Sequence, residues 1–374
     1  MKIGYVIRSL EDSGVTVYVL RLADEMRRQG HDVFLVSDGG MYETEVERLK
    51  LRRLPLALCR GPVTSYLAAR RLADLVRRER PDILHANWRR AQLACHLAQK
   101  STGTPFVSTL HTVGRPAGWL YQKMTHWGAR VIAPCTEAVT YLREVFAVPR
   151  DRIRQISHGV NPAAWPVPSP EAKAGARKIF NLPPEAPVLV CVARLGILKG
   201  QDLLIQALAG ARTSGADLRL LLVGAGADES RLRAMARDLG LTDAVQFLGF
   251  ADPHDALAAA DVFVLPSWQE SFGLAPVEAM MSGRAPIRTD SQGAHDQIVS
   301  GESGLIIPCG DVATLSVALA DVARDRDLWL ERGQKAHDRA VKFFTIEAMA
   351  RRVTAVYEEA LAETASSSHR GPDR

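Results

Sequence analysis

Two glutamates, Glu270 and Glu278, have the spacing in this sequence that most clearly suggests chemistry. The apolar run 262–267 leads directly into Glu270 and predicts a buried strand. Pro276 is typical of a first helical turn, and Gly283 of a residue just past a helix end. We therefore expect Glu270 at the carboxyl end of a strand and Glu278 near the start of the next helix. In an open parallel sheet, ligands bind at this edge.

The chemistry available at this edge is the binding of an anion together with hydroxyl groups. Free N–H groups at the helix start can face an anion, and Gly273 would let a ligand approach the backbone closely. Two carboxylates beside an anion suit a sugar or a ribose, because a carboxylate accepts the hydrogen bonds that hydroxyls donate. An alternative interpretation is that Glu278 is only a favourable charge at a helix start and Glu270 a solvated loop residue.

This segment resembles the Glu-x7-Glu signature of the retaining glycosyltransferase family 4, whose members have the two-domain GT-B fold. The residues 265–267 (Leu-Pro-Ser) and 278–280 (Glu-Ala-Met) also match the family pattern. The resemblance implies that Glu270 contacts hydroxyls of the transferred sugar and that Glu278 holds the ribose of the nucleotide. It also implies donor contacts from the turn between them, at Ser271, Phe272, Gly273 and Leu274.

A basic pair, Arg194 and Lys199, follows the strand candidate 188–192. Arginine offers a diphosphate a planar fork, and lysine offers a point charge. Without further context, the pair would be two cations on a solvated loop. Its spacing resembles the family's Arg-x4-Lys-Gly element, which implies that both residues bind the donor diphosphate. Such cations would act most strongly as the leaving group gains charge.

Glycines mark three further loops. Gly224 and Gly226 follow a strand candidate, but such a pair usually only permits a tight turn. Gly249 lies in a segment that resembles the family element near the donor base. Gly14 lies in the first strand-to-helix loop, where the family usually has two glycines for close approach to the donor, and this sequence keeps one.

The resemblance also extends to the first half of the chain. His111 matches a family histidine, which implies contact with the transferred sugar or the reacting centre. The segment 82–90 resembles the family's Asp-x-x-His-x-His loop, with Asn87 in place of the second histidine. We expect acceptor recognition by four residues here and in the following loop: Asn87, Trp88, Arg89 and Arg115. An equally open interpretation is that Trp88 packs between the domains.

Two segments depart from the family or match another pattern only superficially. The segment 285–294 lacks the usual valine-rich strand and paired glycines. Arg288 within it either pairs with a carboxylate such as Asp290 or Asp296 or marks a subgroup with its own donor preference. Residues 325–327 (Asp-Arg-Asp) resemble a metal-binding Asp-x-Asp, but no apolar strand flanks them. We interpret them as surface charge and predict no metal requirement.

The elements that must position these residues alternate between strand-like and helix-like patterns. Alternation of this kind is typical of a doubly wound parallel sheet. Strands are predicted at 3–7, 33–36, 83–85, 106–109, 131–133, 188–192, 218–223, 245–248, 262–265, 285–287 and 304–307. Helices are clearest at 17–29 and 67–80, and a proline-rich joint is predicted at 161–175.

The predicted fold class is therefore α/β and, by resemblance, GT-B: two Rossmann-like doubly wound domains facing a central cleft. Residues 1–165 are expected to form the acceptor-side domain and residues 166–345 the domain that binds the nucleotide sugar. Residues 346–364 are expected to form a helix that crosses back to the first domain, as is common in this fold. Residues 365–374 are polar and are expected to be a disordered tail.

Composition excludes several classes of protein. The 374 residues are enough for two domains, and no apolar run reaches the length of a membrane span. The start of the chain has the pattern of a strand and not of a signal peptide. The five cysteines include no Cys-x-x-Cys, which favours a reducing cytosol over a zinc site. We expect a cytoplasmic protein, with attachment to the inner face of the cell membrane as an open alternative.

Charge is divided unevenly between the two halves. Residues 1–165 contain 25 Lys and Arg against 15 Asp and Glu, whereas the remainder contains 22 against 27. The basic half either attracts a phosphorylated or membrane-surface acceptor or is a solvated arginine-rich surface. Its cations are not interleaved with aromatic residues, so no nucleic-acid partner is expected.

The resemblance predicts a retaining enzyme that moves a hexose-type sugar from a nucleotide-diphosphate sugar to an acceptor hydroxyl. A UDP-sugar is the favoured co-substrate, a GDP-sugar is the second choice, and no cofactor is expected. The acceptor is a glycan, a lipid-linked sugar or a small natural product. In the family's usual mechanism the departing diphosphate helps to deprotonate the acceptor, so catalysis by Glu270, His111, Arg194 and Lys199 rests on positioning and electrostatics.

Two rival functions stay open at this point. One is a GT-B phosphorylase or sugar-phosphate synthase, which would use free phosphate or a sugar phosphate. The other is a non-catalytic sensor of nucleotide sugars or an assembly subunit that kept the fold. The sequence makes no prediction of the oligomeric state.

Overall fold

The computed structural model describes residues 1–11, 13–58, 62–114 and 118–369 of the chain. These residues form two compact units. The first combines Met1–Gly159 with Ile346–Arg374, and the second is Val160–Thr345. Each unit is built on one sheet of parallel strands joined by helices. The predicted α/β class with two Rossmann-like domains is confirmed.

In the described part of the first unit the strand order is β3-β2-β1-β4-β5-β6-β7. The strands are β1 (Lys2–Ile7), β2 (Asp32–Ser37), β3 (Arg52–Pro55), β4 (Ile83–Asn87), β5 (Phe106–Thr109), β6 (Val131–Ala133) and β7 (Ile153–Gln155). The helices are α1 (Gly14–Arg28), α2 (Glu43–Arg48), α3 (Pro62–Glu79), α4 (Arg89–Thr102), α5 (Trp119–Lys123) and α6 (Thr136–Glu144). The direction of strand addition reverses between β1 and β4, which makes their carboxyl ends a site where ligands bind in such sheets.

The second unit has the strand order β10-β9-β8-β11-β12-β13. Its strands are β8 (Val188–Val192), β9 (Arg219–Val223), β10 (Val245–Gly249), β11 (Val262–Leu265), β12 (Ala285–Thr289) and β13 (Leu305–Ile307). Its helices are α7 (Pro170–Ile179), α8 (Gln201–Thr213), α9 (Glu229–Asp238), α10 (His254–Ala259), α11 (Ala275–Met281), α12 (Ala294–Gln297), α13 (Val312–Arg324) and α14 (Arg326–Phe343). The order reverses between β8 and β11, so this unit has its own switch point.

The boundary between the units lies earlier than the predicted residue 165. Val160 pairs with Thr345, and the buried indole of Trp165 stacks on His254 with ring centroids 4.0 Å apart, so residues 160–165 belong to the second unit. The predicted proline-rich joint at 161–175 is also too long. Helix α7 begins at Pro170, because proline suits the first helical turn and Ser169 caps the helix by accepting from the third residue.

The last helix, α15 (Ile346–His369), packs into the core of the first unit. Its residues Met349, Val353 and Tyr357 join the apolar cluster that contains Ile3 and Tyr5 of β1. The helix extends to His369, so residues 365–369 are not a disordered tail, and residues 370–374 lie outside the described residues. None of the helices described combines the length and the hydropathy that crossing a bilayer requires.

Candidate active site

The loops that follow β8 and β11 pass in direct contact, because these strands are neighbours in the sheet. Gly200 in the first loop has a φ of +67°, and a Cβ there would collide with the carbonyl oxygen of Pro266 in the second. The backbone N–H of Trp268 donates to the carbonyl of Leu198 across the same contact, at 3.0 Å. The glycine of the Arg-x4-Lys-Gly element is therefore required for the close approach of the two loops.

This approach places Lys199 on Glu270. The lysine ammonium bonds to Oε1 of the glutamate, and the Ser267 hydroxyl donates to the same oxygen at 3.1 Å. The backbone N–H of Glu270 donates to Oε1 of Gln292 at 3.3 Å. The side chain of Glu270 is 10% exposed and that of Lys199 is 25% exposed. The predicted sugar-binding carboxylate and the predicted phosphate-binding cation are thus one partly buried ion pair, which spacing alone did not reveal.

Arg194 lies on the same loop as Lys199, and its side chain is exposed. The backbone around it packs against the loop that follows β9. A Cβ on Gly224 would collide with the carbonyl of Ala193, and a Cβ on Gly226 with that of Leu195. These two glycines therefore serve the packing of the arginine loop. The predicted donor residue Gly249 ends β10 with a φ of +67°, and its carbonyl accepts from the N–H of Gly224 at 2.7 Å.

The remaining predicted donor residues lie at the start of α11. Glu278 is in the first turn of this helix and is 7% exposed. Gly273 has a φ of +79°, a left-handed conformation that favours glycine. The ring of Phe272 is fully buried against Phe344, with centroids 5.7 Å apart, so this residue has only its backbone to offer a donor. Ser271 and Leu274, on either side, are partly exposed.

Polar groups in β12 and in the segment after it support this turn. Arg288 is fully buried and donates to the carbonyls of Phe272 and Gln292, each at 3.2 Å, and to Oε1 of Gln297. The amide of Gln297 donates to the carbonyl of Phe272 at 2.7 Å and to that of Gly273 at 2.9 Å. Asp290, one of the predicted partners of Arg288, accepts from the N–H of Cys309 at 2.8 Å. No sequence signal marks Gln297, because an isolated glutamine in a short helix is ordinary.

In the first unit, His111 follows β5 and contacts the end of β4. Its Nε2 lies 2.8 Å from Oδ1 of Asn87, whose amide nitrogen donates to the carbonyl of His85 at 3.2 Å. Because the amide oxygen of Asn87 faces the imidazole, Nε2 of His111 is the donor. Burial lowers the pKa of His111 well below 6.5, and His158 and His85 add to the shift. The imidazole is therefore neutral near pH 7.

Behind His111 lies a buried chain of hydroxyl groups and one histidine. The Tyr357 hydroxyl of α15 donates to Tyr5 at 3.0 Å and lies 2.7 Å from Nδ1 of His85. The other nitrogen of His85, Nε2, lies 2.7 Å from the hydroxyl of Thr109, which is 3.2 Å from that of Tyr18. Burial lowers the pKa of His85 to about 3. In the sequence His85 is marked only as part of a motif, because its partners lie on distant elements.

Among the predicted acceptor residues that the structure describes, Trp88 has the most unusual backbone. Its φ of 81° and ψ of 150° fall in a region that is essentially restricted to glycine. The residue is 39% exposed, and the centroid of its indole lies 6.3 Å from the ring centroid of His111. Arg89 is exposed and stacks over Tyr121 at 3.7 Å. Asn87, in contrast, is fully buried, so the contacts described for it are those that orient His111.

The remaining predicted positions are Arg115, Gly14 and the segment 325–327. Arg115 lies outside the described residues. Gly14 begins α1, and a Cβ there would meet no atom within 4 Å, so the geometry of the loop does not itself require a glycine. Asp325 caps α14 by accepting from the N–H of Leu328 at 3.1 Å, and Asp327 lies in the first turn of that helix. These two carboxylates therefore have a structural role at a helix start.

Two family models match the chain. The model described as Glycosyltransferase Family 4 matches residues 13–164, and the model described as Glycosyl transferases group 1 matches residues 173–339. A glycogen synthase of Mycobacterium tuberculosis is 30% identical over 74% of this chain and 69% of that protein. The chain belongs to glycosyltransferase family 4. A D-inositol 3-phosphate glycosyltransferase of Acidothermus cellulolyticus is 29% identical to this family 4 member over 94% of this chain and 86% of that protein.

Solved structures share the fold of this glycosyltransferase. Anabaena HepE in complex with UDP superposes with a TM-score of 0.86 at 21% identity, over 96% of this chain and all of that one. A glycosyltransferase from Rickettsia africae superposes with a TM-score of 0.85 at 21% identity, over 96% and 98% of the two chains. The predictions of the GT-B fold, of the family and of a transferase activity are confirmed. The roles of individual residues stay predictions.

Proposed function

We propose that this glycosyltransferase moves a hexose-type sugar from a UDP-sugar to an acceptor hydroxyl with retention of anomeric configuration. The observation that carries the proposal is the contact of Lys199 with Glu270 where the strand order reverses between β8 and β11. Ligands bind at such switch points in open α/β sheets. A cation beside a carboxylate suits a sugar diphosphate, because the cation binds phosphate and the carboxylate accepts from sugar hydroxyls.

The remaining donor groups have roles that follow from their placement. The exposed Arg194 would bind the diphosphate together with Lys199, and Glu278 at the start of α11 would accept from the ribose hydroxyls. Backbone N–H groups of the turn 271–274 would face the sugar and the diphosphate. A uridine nucleotide is favoured because structures of Anabaena HepE, which has the same fold, contain UDP and UDP-glucose.

In the proposed step the bond between the anomeric carbon and the diphosphate oxygen breaks while the acceptor oxygen bonds to the same face of that carbon. The acceptor proton passes to an oxygen of the departing diphosphate. Arg194 and Lys199 stabilise the negative charge that the leaving group gains. The neutral His111, whose Nε2–H is held by Asn87, would bind and orient the sugar and would not carry a charge.

We further infer that the acceptor carries a sugar-like ring and a negative charge. An exposed indole beside His111 offers a flat apolar surface for such a ring, and Arg89 next to it offers a cation. The first unit is also the basic part of the chain. Curated relatives include enzymes named for D-inositol 3-phosphate, a phosphorylated polyol, and a glycogen synthase, named for a neutral glycan.

A two-stage experiment tests this function. Thermal shifts with UDP, GDP and ADP identify the base, and we expect the largest shift with UDP. Mass spectrometry then follows UDP-sugars with inositol phosphate, a neutral glycan, a lipid-linked sugar or inorganic phosphate as acceptor. We expect a glycosylated anionic polyol, formed equally well with EDTA because Arg194 and Lys199 take the role of a metal ion. A sugar 1-phosphate as the product would establish the phosphorylase alternative instead.

A further inference from the structure

Arg288 is a charged residue in the otherwise uncharged, five-residue strand β12. It lies in β12 with no exposed surface, and every other residue of this strand is buried as well. Taking a guanidinium out of water is costly unless its donors are used. Here the two terminal nitrogens donate to the carbonyl of Phe272, the carbonyl of Gln292 and the side-chain oxygen of Gln297. The fork geometry of arginine allows one side chain to reach all three.

These three acceptors belong to the turn that connects Glu270 with Glu278 or contact that turn directly. Phe272 is part of it. Gln297 donates to the carbonyls of Phe272 and Gly273, and the side chain of Gln292 accepts from the backbone N–H of Glu270. The guanidinium therefore closes a ring of hydrogen bonds around the turn. Because the carbonyls of the turn are held in this way, its N–H groups keep one orientation.

We propose that Arg288 is a positioning residue for the donor diphosphate: it fixes the turn at Phe272 and Gly273 and places a buried positive charge next to it. This inference rests on the proposed function, because it presumes that this turn binds a sugar diphosphate. Fixed N–H groups bind an anion without reorganising, and a cation in a medium of low dielectric acts on it strongly. Misplacement of a binding group by about 1 Å can cost ~100-fold in rate.

A merely structural role is the competing explanation, and the chain supplies a matched control for it. Arg284 immediately precedes β12, at the opposite end of this strand, and is also almost fully buried, with 4% exposure. It donates to the carbonyls of Leu257 and Ala258, at 3.0 and 3.4 Å. The two arginines thus resemble each other in burial and in their use of backbone acceptors, but only Arg288 contacts the donor turn.

The test measures UDP affinity by titration calorimetry, well below the melting temperatures, for the wild type, R288M, R288K and R284M. We expect R288M to lower the UDP affinity ~10- to 100-fold and to raise the donor KM with little change in the acceptor KM. R284M should lower the melting temperature by about as much as R288M does, and it should keep the wild-type affinity for UDP. R288K keeps a charge but cannot reach three acceptors, so it should still lose about 10-fold.

The outcomes separate this inference from the proposed function. If the wild type binds none of UDP, GDP and ADP, the proposed function is wrong and the inference is wrong with it. If the wild type binds UDP and R288M binds it equally well, or if R284M loses as much affinity as R288M, only the inference is overturned. If R288M does not fold, R288K decides: unchanged affinity overturns the positioning role, and reduced affinity beside an unaffected R284M supports it.

Discussion

Lys199 and Glu270 form an ion pair although 71 residues separate them in the chain. The glutamate also accepts from Ser267, and both side chains are largely sheltered from solvent. Exposed ion pairs contribute only ~0–1 kcal/mol, whereas removing one partner of a sheltered pair leaves the other charge uncompensated. In this site each partner is also expected to contact the donor. A single substitution should therefore disturb two ligand contacts at once.

Lys199→Ala should lower UDP affinity and the transfer rate by ~100-fold or more, because the diphosphate loses a cation and faces an unpaired carboxylate. The double variant Lys199→Ala, Glu270→Gln removes that repulsion. It should regain part of the UDP affinity while transfer stays slow, because the sugar hydroxyls still lack a charged acceptor. Calorimetry measures the UDP affinity of each variant, and initial rates measure its transfer activity.

The control for this pair is Lys335, which bonds to Glu331 at 2.6 Å on the surface of α14. Lys335→Ala should change both quantities by less than twofold, since an exposed pair on a helix contributes little. Transfer by Lys199→Ala or Glu270→Ala within a few-fold of the wild-type rate would show that the site is wrongly assigned.

Glu278→Gln should weaken the binding of UDP by about 10-fold, because a neutral amide is a poorer acceptor for ribose hydroxyls than a carboxylate. The change is nearly isosteric, so a residue with 7% exposure should keep its packing. The decisive measurement compares UDP with 2′,3′-dideoxy-UDP. The wild type should prefer UDP clearly, whereas the variant should bind both almost equally. A variant that keeps the full wild-type preference would exclude a ribose contact.

The sequence predicted the strands that position the site because each is a short apolar run with few polar residues. The β3 strand (Arg52–Pro55) and the β7 strand (Ile153–Gln155) were missed. Both are short, polar strands at the two edges of the first sheet, where one side of a strand needs no partner. The α7 helix was not predicted, because its first residue, Pro170, is typical of a linker unless Ser169 is recognised as a helix cap.

The site was predicted as a set of positions but not as a set of contacts. The Arg-x4-Lys-Gly and Glu-x7-Glu elements indicated Lys199 and Glu270, yet their ion pair depends on two strands lying side by side. The ring of bonds through Arg288 and Gln297 depends in the same way on a helix packing against a turn. Such contacts are set by tertiary packing, and a single sequence has no period or spacing that reports them.

The free energy of unfolding should decrease as the pH is lowered, because His85 stays neutral in the folded state. Its pKa is lowered from 6.5 to about 3, so below pH 6.5 the unfolded chain takes up a proton that the folded chain does not. Acid therefore favours unfolding, and the contribution of His85 is lost progressively from pH 6.5 towards pH 3. Between pH 7 and pH 5 this one group should account for about 2 kcal/mol of the loss in unfolding free energy.

His85→Gln should lower the stability at pH 7, because it disturbs the bonds to Tyr357 and Thr109, and should also flatten the pH dependence. Urea denaturation at pH 7, 6 and 5 measures both effects. The exposed His295 provides the control: His295→Gln should leave the slope unchanged. An equal slope in His85→Gln and the wild type would mean that His85 takes up its proton equally in both states.

Trp88 has a strained backbone conformation that is unfavourable for the stability of the fold. A φ of 81° with a ψ of 150° costs a non-glycine residue about 1–3 kcal/mol, and such strain persists only when surrounding contacts enforce it. The side chain is only partly covered, since 39% of the residue is exposed. The indole nevertheless lies near His111, with ring centroids 6.3 Å apart, where the proposed acceptor ring would lie.

Trp88→Gly should be more stable than Trp88→Ala by ~1 kcal/mol or more, because only glycine adopts this backbone freely, the reverse of the usual order of the two residues. Both variants should raise the acceptor KM by about 10-fold and leave UDP affinity unchanged, because both lack the indole.

Lys50, at a φ of 53°, is the control: Lys50→Gly relieves strain elsewhere in the first unit and should not affect the binding of either ligand. Denaturation curves and steady-state kinetics give the three quantities. An unchanged acceptor KM in Trp88→Gly would show that the indole has no role in acceptor binding, and Trp88→Ala as stable as Trp88→Gly would show that the backbone relaxes once the indole is removed.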